Sequence, residues 1–278
     1  ARRSCGDRHG LGGGAGSAAA VSAGAYRTAK VRRGDAGAQA VLDEILVHSD
    51  ASSDATVEKA QRVKDSRIEI MEAPTRGGFG RAVINLLTRS QSNITLLLND
   101  DIQIKSNNFI ESMATPLIEE KQVGLVSGNP QPFSPRTFIE QGAVSAFRAY
   151  EHMRYEMNSG HNQFTCDGKV LAFSRAFTSV IEFPKDMREM GNVDAFLYFS
   201  CLKGGFLYRH AREAVVHFRA PATLKDYVSW TIRNNSDKYI LEKRFGKTVY
   251  NEYKRPTGIF LKAQIREFLY HPLAALWI

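Results

Sequence analysis

The run Ile94 to Leu98 (ITLLL), followed at once by Asn99, Asp100 and Asp101, constrains the fold more than any other part of the chain. A short run that is apolar throughout predicts a strand covered on both faces, as in the parallel sheets of α/β proteins. The carboxyl ends of such strands form the edge where ligands bind. Adjacent carboxylates repel one another unless a cation compensates them, and hard divalent ions favour carboxylate and phosphate oxygens together. Mg²⁺ or Mn²⁺ bridging to a diphosphate would meet both needs.

The flanking sequence repeats the strand and helix alternation. Glu44 to Ser49 and Arg67 to Met71 predict strands, and a helix from about Asp54 carries Val57, Ala60 and Val63 at helical spacing. A second helix is expected over Gly77 to Ser90 after a Gly-rich turn. Further helices are expected over Asn107 to Lys121, bent at Pro116, and over Thr137 to Met157, with a strand at Val123 to Ser127 before the latter. Val170 to Phe173, Phe206 to Tyr208 and Ala214 to Phe218 read as strands, and Val193 to Leu202, Asp226 to Arg233 and Ile259 to Leu269 as helices. This pattern predicts an α/β fold with a mostly parallel central sheet flanked by helices.

At 278 residues the chain can hold one large core. None of its apolar runs reaches the roughly 20 residues needed to cross a bilayer. The net charge of +8 would attract nucleic acid, an anionic membrane or a phosphorylated substrate, and selects none of them. Three cysteines without C-x-x-C spacing argue against a disulfide framework or a zinc site and suggest a reducing compartment. Residues 1–40 hold 11 Ala, 9 Gly and 6 Arg, a composition that buries little apolar surface, so they are expected to be disordered or poorly packed. Such residues are also what GC-rich codons yield out of frame, so a displaced reading frame is an alternative origin. The domain proper is expected over residues 41–235, with a helical segment over 236–278.

Three segments in order, VHSDASSDATVEKA, PTRGGFGRAVINLL and ITLLLNDDIQI, resemble the nucleotide-binding half of inverting family 2 glycosyltransferases of the GT-A fold. CDGKVLAFSR and the stretch from GNVDAFLYF to AVVHF resemble the second half. The resemblance puts Asp50 at the base-contacting Asp, Asp54 at the second Asp of that turn, and Arg76 at the basic position before the glycines. It puts Asp100 and Asp101 at the D-x-D motif, with Asn99 in place of its first Asp, and Asp101 as the metal ligand. Gly168 falls in the acceptor segment, His217 near the diphosphate or metal, and Asp194 at the catalytic base, although Val193 replaces the family's Glu. Read alone, Asp194 is more simply a helix N-cap, and TRGGFGR an ordinary turn whose free amides suit an anion.

The resemblance implies a nucleotide-sugar donor, UDP-sugar favoured, a saccharide or lipid-linked hydroxyl acceptor, and no nucleic acid. W-T-I-R-N keeps Arg233, a phosphate-contact position, but lacks the Gln and Trp of the processive Q-x-x-R-W motif, so synthesis of long polymers is not expected. Residues 1–40 contain nothing like the family's opening strand; a chain that lacks that strand is expected to have reduced stability and weak nucleotide binding. Lys262 and Arg266 beside an apolar end suggest a cytoplasmic protein lying peripherally on the inner face of the membrane. The alternatives are a non-catalytic sugar-nucleotide or membrane-surface binding protein of the same fold, and a sugar-phosphate nucleotidyltransferase.

Overall fold

The computed structural model describes residues 25–33, 40–235 and 238–276. One sheet of eight strands runs through it: β1 (Ala25–Arg33), β2 (Ala40–Ser49), β3 (Ile68–Glu72), β4 (Ile94–Leu98), β5 (Ile102–Ile104), β6 (Val123–Pro132), β7 (Val170–Ser174) and β8 (Leu207–Phe218), in the order β3-β2-β1-β4-β7-β6-β8-β5. Only β2–β3 and β6–β8 are parallel neighbours, and the other five pairings are antiparallel. Followed through these pairings, β2, β3, β4, β6 and β8 share one direction while β1, β7 and β5 run against it. The expected predominance of parallel strands therefore holds for strand direction but not for pairing, because opposed strands are inserted between co-directional ones. The carboxyl ends of β2, β4, β6 and β8 still point the same way.

Strand β1 falls inside the segment expected to be poorly packed and fills the slot between β2 and β4, antiparallel to both. A slot with a free strand edge on each side can be satisfied by backbone hydrogen bonds alone, which do not depend on an apolar sequence. Residues 1–24 and 34–39 lie outside the described residues.

Successive residues of the central strands serve opposite faces, which explains runs that are apolar throughout. On one face Leu46, Leu97, Leu125, Leu171 and Phe173 pack under α2 (Gly78–Arg89) and α6 (Val193–Lys203), through Ala82, Val83, Leu86 and Leu87 of the first and Phe196, Leu197 and Phe199 of the second. On the other face Leu96, Val126, Val170, Ala172 and Val216 pack against Phe109, Met113, Ala114 and Leu117 of α3 (Phe109–Glu119), which continues through Pro116. The two short strands expected after α6 are one long strand, β8, with its register against β6 shifting between Ser127 and Asn129.

Helix α4 (Phe138–Glu156) begins at Thr137, whose hydroxyl accepts the Glu140 amide, as an N-cap residue should. It carries the C-terminal helix α10 (Thr257–Tyr270) through a buried hydrogen bond from Ser145 to Glu267, 2.7 Å. Away from α4, Leu261, Ile265, Phe268, Leu269 and Leu273 stay exposed. The shorter helices are α1 (Thr56–Gln61), α5 (Arg175–Thr178), α8 (Lys238–Phe245), α9 (Thr248–Glu252) and α11 (Pro272–Ala275), and among the described residues no helix is long and apolar enough to cross a membrane.

Candidate active site

The loop after β2 is tied to the Gly-rich turn by Asp50. Its carboxylate, 2% exposed, accepts the Gly77 amide at 2.7 Å and the Gly78 amide at 2.8 Å, at the start of α2. The anion suited to those amides is thus the protein's own carboxylate, and the expectation of free amides at this turn is not met. The next residue, Ala51, sits at φ 53°, the left-handed region that favours glycine. Asp54 is exposed, and hydrogen bonds from the Thr56 hydroxyl and then the Thr56 amide hold its carboxyl below the usual range. Arg76 is exposed immediately before the two glycines.

Strand β4 delivers Asn99, Asp100 and Asp101 to the carboxyl edge as expected. Asn99 donates its amide to the Lys169 carbonyl at 3.0 Å, while its side-chain Oδ1 is buried without a partner. Asp100 and Asp101 are exposed. Asp101 leads into β5, whose pairing sets Gln103 opposite His217 and Ile102 opposite Phe218. The His217 ring stacks on Phe133 at 5.3 Å, and its Nδ1 is buried without a partner.

A second group converges from β7 and α6. Asn192 caps α6 by accepting the Asp194 amide at 3.2 Å, so Asp194 is not the N-cap that its position alone would suggest. Its carboxylate instead accepts the Gly168 amide at 3.0 Å. A Cβ at 168 would meet the Phe79 ring at 3.1 Å, so any side chain there would require that ring to give by a few tenths of an ångström. Burial, reinforced by the negative charge of Asp167, pushes the Asp194 carboxyl up to about 6.

Lys169 lies between these groups. Its ammonium is 3.3 Å from Asp167 Oδ1 and 4.5 Å from the centre of the Phe218 ring. Burial works against its charge, but the carboxylates of Asp167, Asp101 and Asp194 outweigh it and raise its pKa. Burial likewise opposes the Asp167 carboxylate, which Lys169 and Arg154 nonetheless hold low. One ammonium thus feels both the Asp101 and the Asp194 charge, linking the two halves of the expected site. Asp167 and Lys169 were not picked out from sequence, where their only signal is an Asp and a Lys two residues apart.

Asp167, Lys169 and Asp194 line a cavity of about 260 Å³, walled also by Tyr150 and Arg154 of α4 and by Tyr227 and Trp230 of α7 (Leu224–Asn235). Arg233 belongs to α7, but its side chain lies outside the described residues.

No group of three or more His, Cys, Asp or Glu side chains suited to a metal ion occurs among the described residues. Ions such as Mg²⁺ commonly take one or two protein carboxylates and complete their shell with substrate phosphate and water. Asp101 is exposed just before the strand that pairs with the His217 segment, and His217 Nδ1 has no partner, so these two side chains are the candidates for that smaller requirement.

Across residues 37–180 the sequence matches the model of the family described as Glycosyl transferase family 2. The chain belongs to that family. No curated protein is similar enough to count as a match. Among solved structures it is similar to a mannosyltransferase from Pyrobaculum calidifontis in complex with GDP-Man and Mn²⁺, at 20% identity and TM-score 0.52, covering 84% of this chain and 64% of that one. It is also similar to glucosyl-3-phosphoglycerate synthase from Mycobacterium tuberculosis in complex with Mn²⁺, UDP-glucose and phosphoglyceric acid, at 16% identity and TM-score 0.51, covering 74% and 70% of the two chains. At such identity the likeness establishes the GT-A fold. Family membership sets aside the nucleotidyltransferase reading.

Proposed function

We propose that this family 2 protein transfers a sugar from a nucleoside-diphosphate donor, UDP-sugar favoured, to a hydroxyl acceptor with inversion, non-processively, in cell-surface polysaccharide or glycolipid synthesis. The observation that carries the reading is the Asp194 carboxylate, held by the Gly168 amide in the wall of a cavity, with its pKa raised towards neutrality. A base of that pKa is mostly ionised at neutral pH yet basic enough to take a proton from a hydroxyl in the transition state. Asp194 removes that proton as the hydroxyl oxygen forms its bond to the anomeric carbon. The bond from that carbon to the diphosphate breaks, and its electron pair leaves with the nucleoside diphosphate. Lys169, fixed by Asp167, supplies positive charge beside the reacting groups before the charge develops.

Asp101 and His217 are the residues that would hold Mg²⁺ or Mn²⁺, which when bound offsets negative charge on the donor diphosphate. The similar mannosyltransferase and the similar synthase were each crystallised with Mn²⁺ and a nucleotide sugar, which supports this assignment. Asp50, Asp54, Arg76 and Asp100 are assigned to the nucleotide side of the site, and Gly168 and Arg233 to acceptor or phosphate contacts. The exposed apolar residues of α10, with Lys262 on the same helix, support a peripheral position on a cytoplasmic membrane face.

The test is release of nucleoside diphosphate from a panel of UDP-, GDP- and dTDP-sugars with Mn²⁺, in the wild type, Asp101→Ala and Asp194→Asn. Metal-dependent release that both substitutions abolish is the expected result. Binding without release from any donor would favour the non-catalytic reading, for which Asn99 and Val193 at motif positions speak.

A further inference from the structure

The cavity that holds Asp194 has more positive charge in its walls than its own carboxylates absorb. Arg154, Lys169 and Arg255 line it against Asp167 and Asp194. Lys169 is committed to Asp167 at 3.3 Å, and the Asp194 carboxylate to the Gly168 amide at 3.0 Å. The two arginines remain.

Arg154 is only 1% exposed, and its Nε and Nη2 have no hydrogen-bond partner. Its nearest carboxylate, Glu151, stands at 3.9 Å, beyond hydrogen-bond range. The rings of Phe147, Tyr150 and Tyr155 surround the guanidinium, with centres 5.0–5.9 Å from Cζ. Leaving a buried charge so weakly paired is costly. Water would satisfy the free N–H groups without neutralising the charge.

Arg255 stands exposed at the rim, its guanidinium over Phe164 at 5.3 Å and Tyr150 at 5.9 Å. Among the described residues it makes ring contacts but no ion pair. Both arginines thus approach the Tyr150 ring within 6 Å, one from the floor of the cavity and one from its mouth.

We infer that this cavity selects an acceptor carrying an oxyanion, a phosphate or a carboxylate, close to its reacting hydroxyl, with Arg154 and Arg255 as its counter-charges and Asp194 facing the hydroxyl. The inference rests on the glycosyltransferase reading for the word acceptor, but the oxyanion subsite stands on the cavity itself. An oxyanion there offsets the charge that Glu151 balances only at 3.9 Å, and a guanidinium presents the paired donors that such a group accepts. The aromatic walls formed by Tyr150, Tyr227 and Trp230 would cover the ring or chain that bears it.

Trp230 lines the cavity and gives the readout. In the full chain carrying Trp277→Phe, its fluorescence is titrated with glucose, glucose 6-phosphate and glucuronate, three hexoses that differ at one carbon. The two anionic sugars should bind about tenfold or more tightly than glucose, and Arg255→Gln should remove most of that preference. Arg255 is exposed, so this variant keeps the core intact, and Arg154→Gln is the companion where it folds. Equal affinity for the three sugars, no binding of any of them, or a preference unchanged by Arg255→Gln would each overturn the inference.

Displacement of glucose 6-phosphate by phosphatidylglycerol vesicles but not by phosphatidylcholine vesicles would make the oxyanion lipid-borne. Displacement by neither would make it soluble, and both outcomes leave the subsite standing. Nucleoside diphosphate release is measured in parallel. Anion binding without turnover counts against the enzyme reading alone, and turnover without anion preference counts against the subsite alone.

Discussion

Replacing Asp194 by Asn should inactivate the protein and stabilise it at the same time, by an amount that depends on pH. The folded carboxyl titrates at about 6 against 3.8 for a free one, a gap of about 2 pH units, or about 3 kcal/mol at 1.36 kcal/mol per unit. Because the folded pKa is the higher, the proton favours the folded state fully below pH 3.8, and that contribution is lost as the pH rises through about 6. Above that point the wild type holds a carboxylate that burial and Asp167 disfavour. Asparagine carries no charge and its side-chain oxygen can still accept the Gly168 amide, so the variant avoids this cost. At pH 8 it should unfold roughly 5–10 °C above the wild type, and by pH 4 the gap should close. Wild-type turnover should rise with pH through about 6 as the base ionises. Calorimetric melting of both proteins between pH 4 and 8 checks the stability part. A variant no more stable than wild type at pH 8, or a gain that persists undiminished at pH 4, would refute a strained carboxylate at this position.

Two further predictions concern the loop after β2. Ala51→Gly should stabilise the protein by about 0.5–1 kcal/mol, because relief at φ 53° exceeds the extra chain entropy lost by glycine, and urea unfolding measures it. Asp50→Ala removes both acceptors of the Gly77 and Gly78 amides and should cost about 2–4 kcal/mol, with Asp50→Asn intermediate; if Asp50→Ala unfolds at the wild-type urea midpoint, the carboxylate does not anchor α2.

The elements legible in the sequence were those whose signal is local. Ile94 to Leu98 is apolar throughout because its alternate residues face cores on both sides of the sheet, and that pattern is visible in a window of five residues. The same holds for Ala82, Val83, Leu86 and Leu87, which mark α2 by helical spacing. The order of motifs along the chain was enough to bring the family into view, and with it the α/β architecture.

Pairing and proximity were decided by the tertiary structure. Which strand enters the gap between β2 and β4 depends on two exposed backbone edges, and Ala25–Arg33 occupies it without an apolar run to announce it. Asp50 is marked by its motif, but only folding brings its carboxylate to amides 27 and 28 residues away, at the start of a helix. Asp194 reads as a cap until Asn192 is seen in that role, which leaves its carboxylate to the Gly168 amide 26 residues earlier. The cavity itself draws walls from α4, α7 and the segment around Asp167, and the weakly paired charge of Arg154 exists only because those elements enclose it. A sequence specifies the charge of each residue locally, but desolvation and pairing belong to the neighbours that folding supplies, and these set whether a carboxylate becomes a base, a cap or a counter-ion.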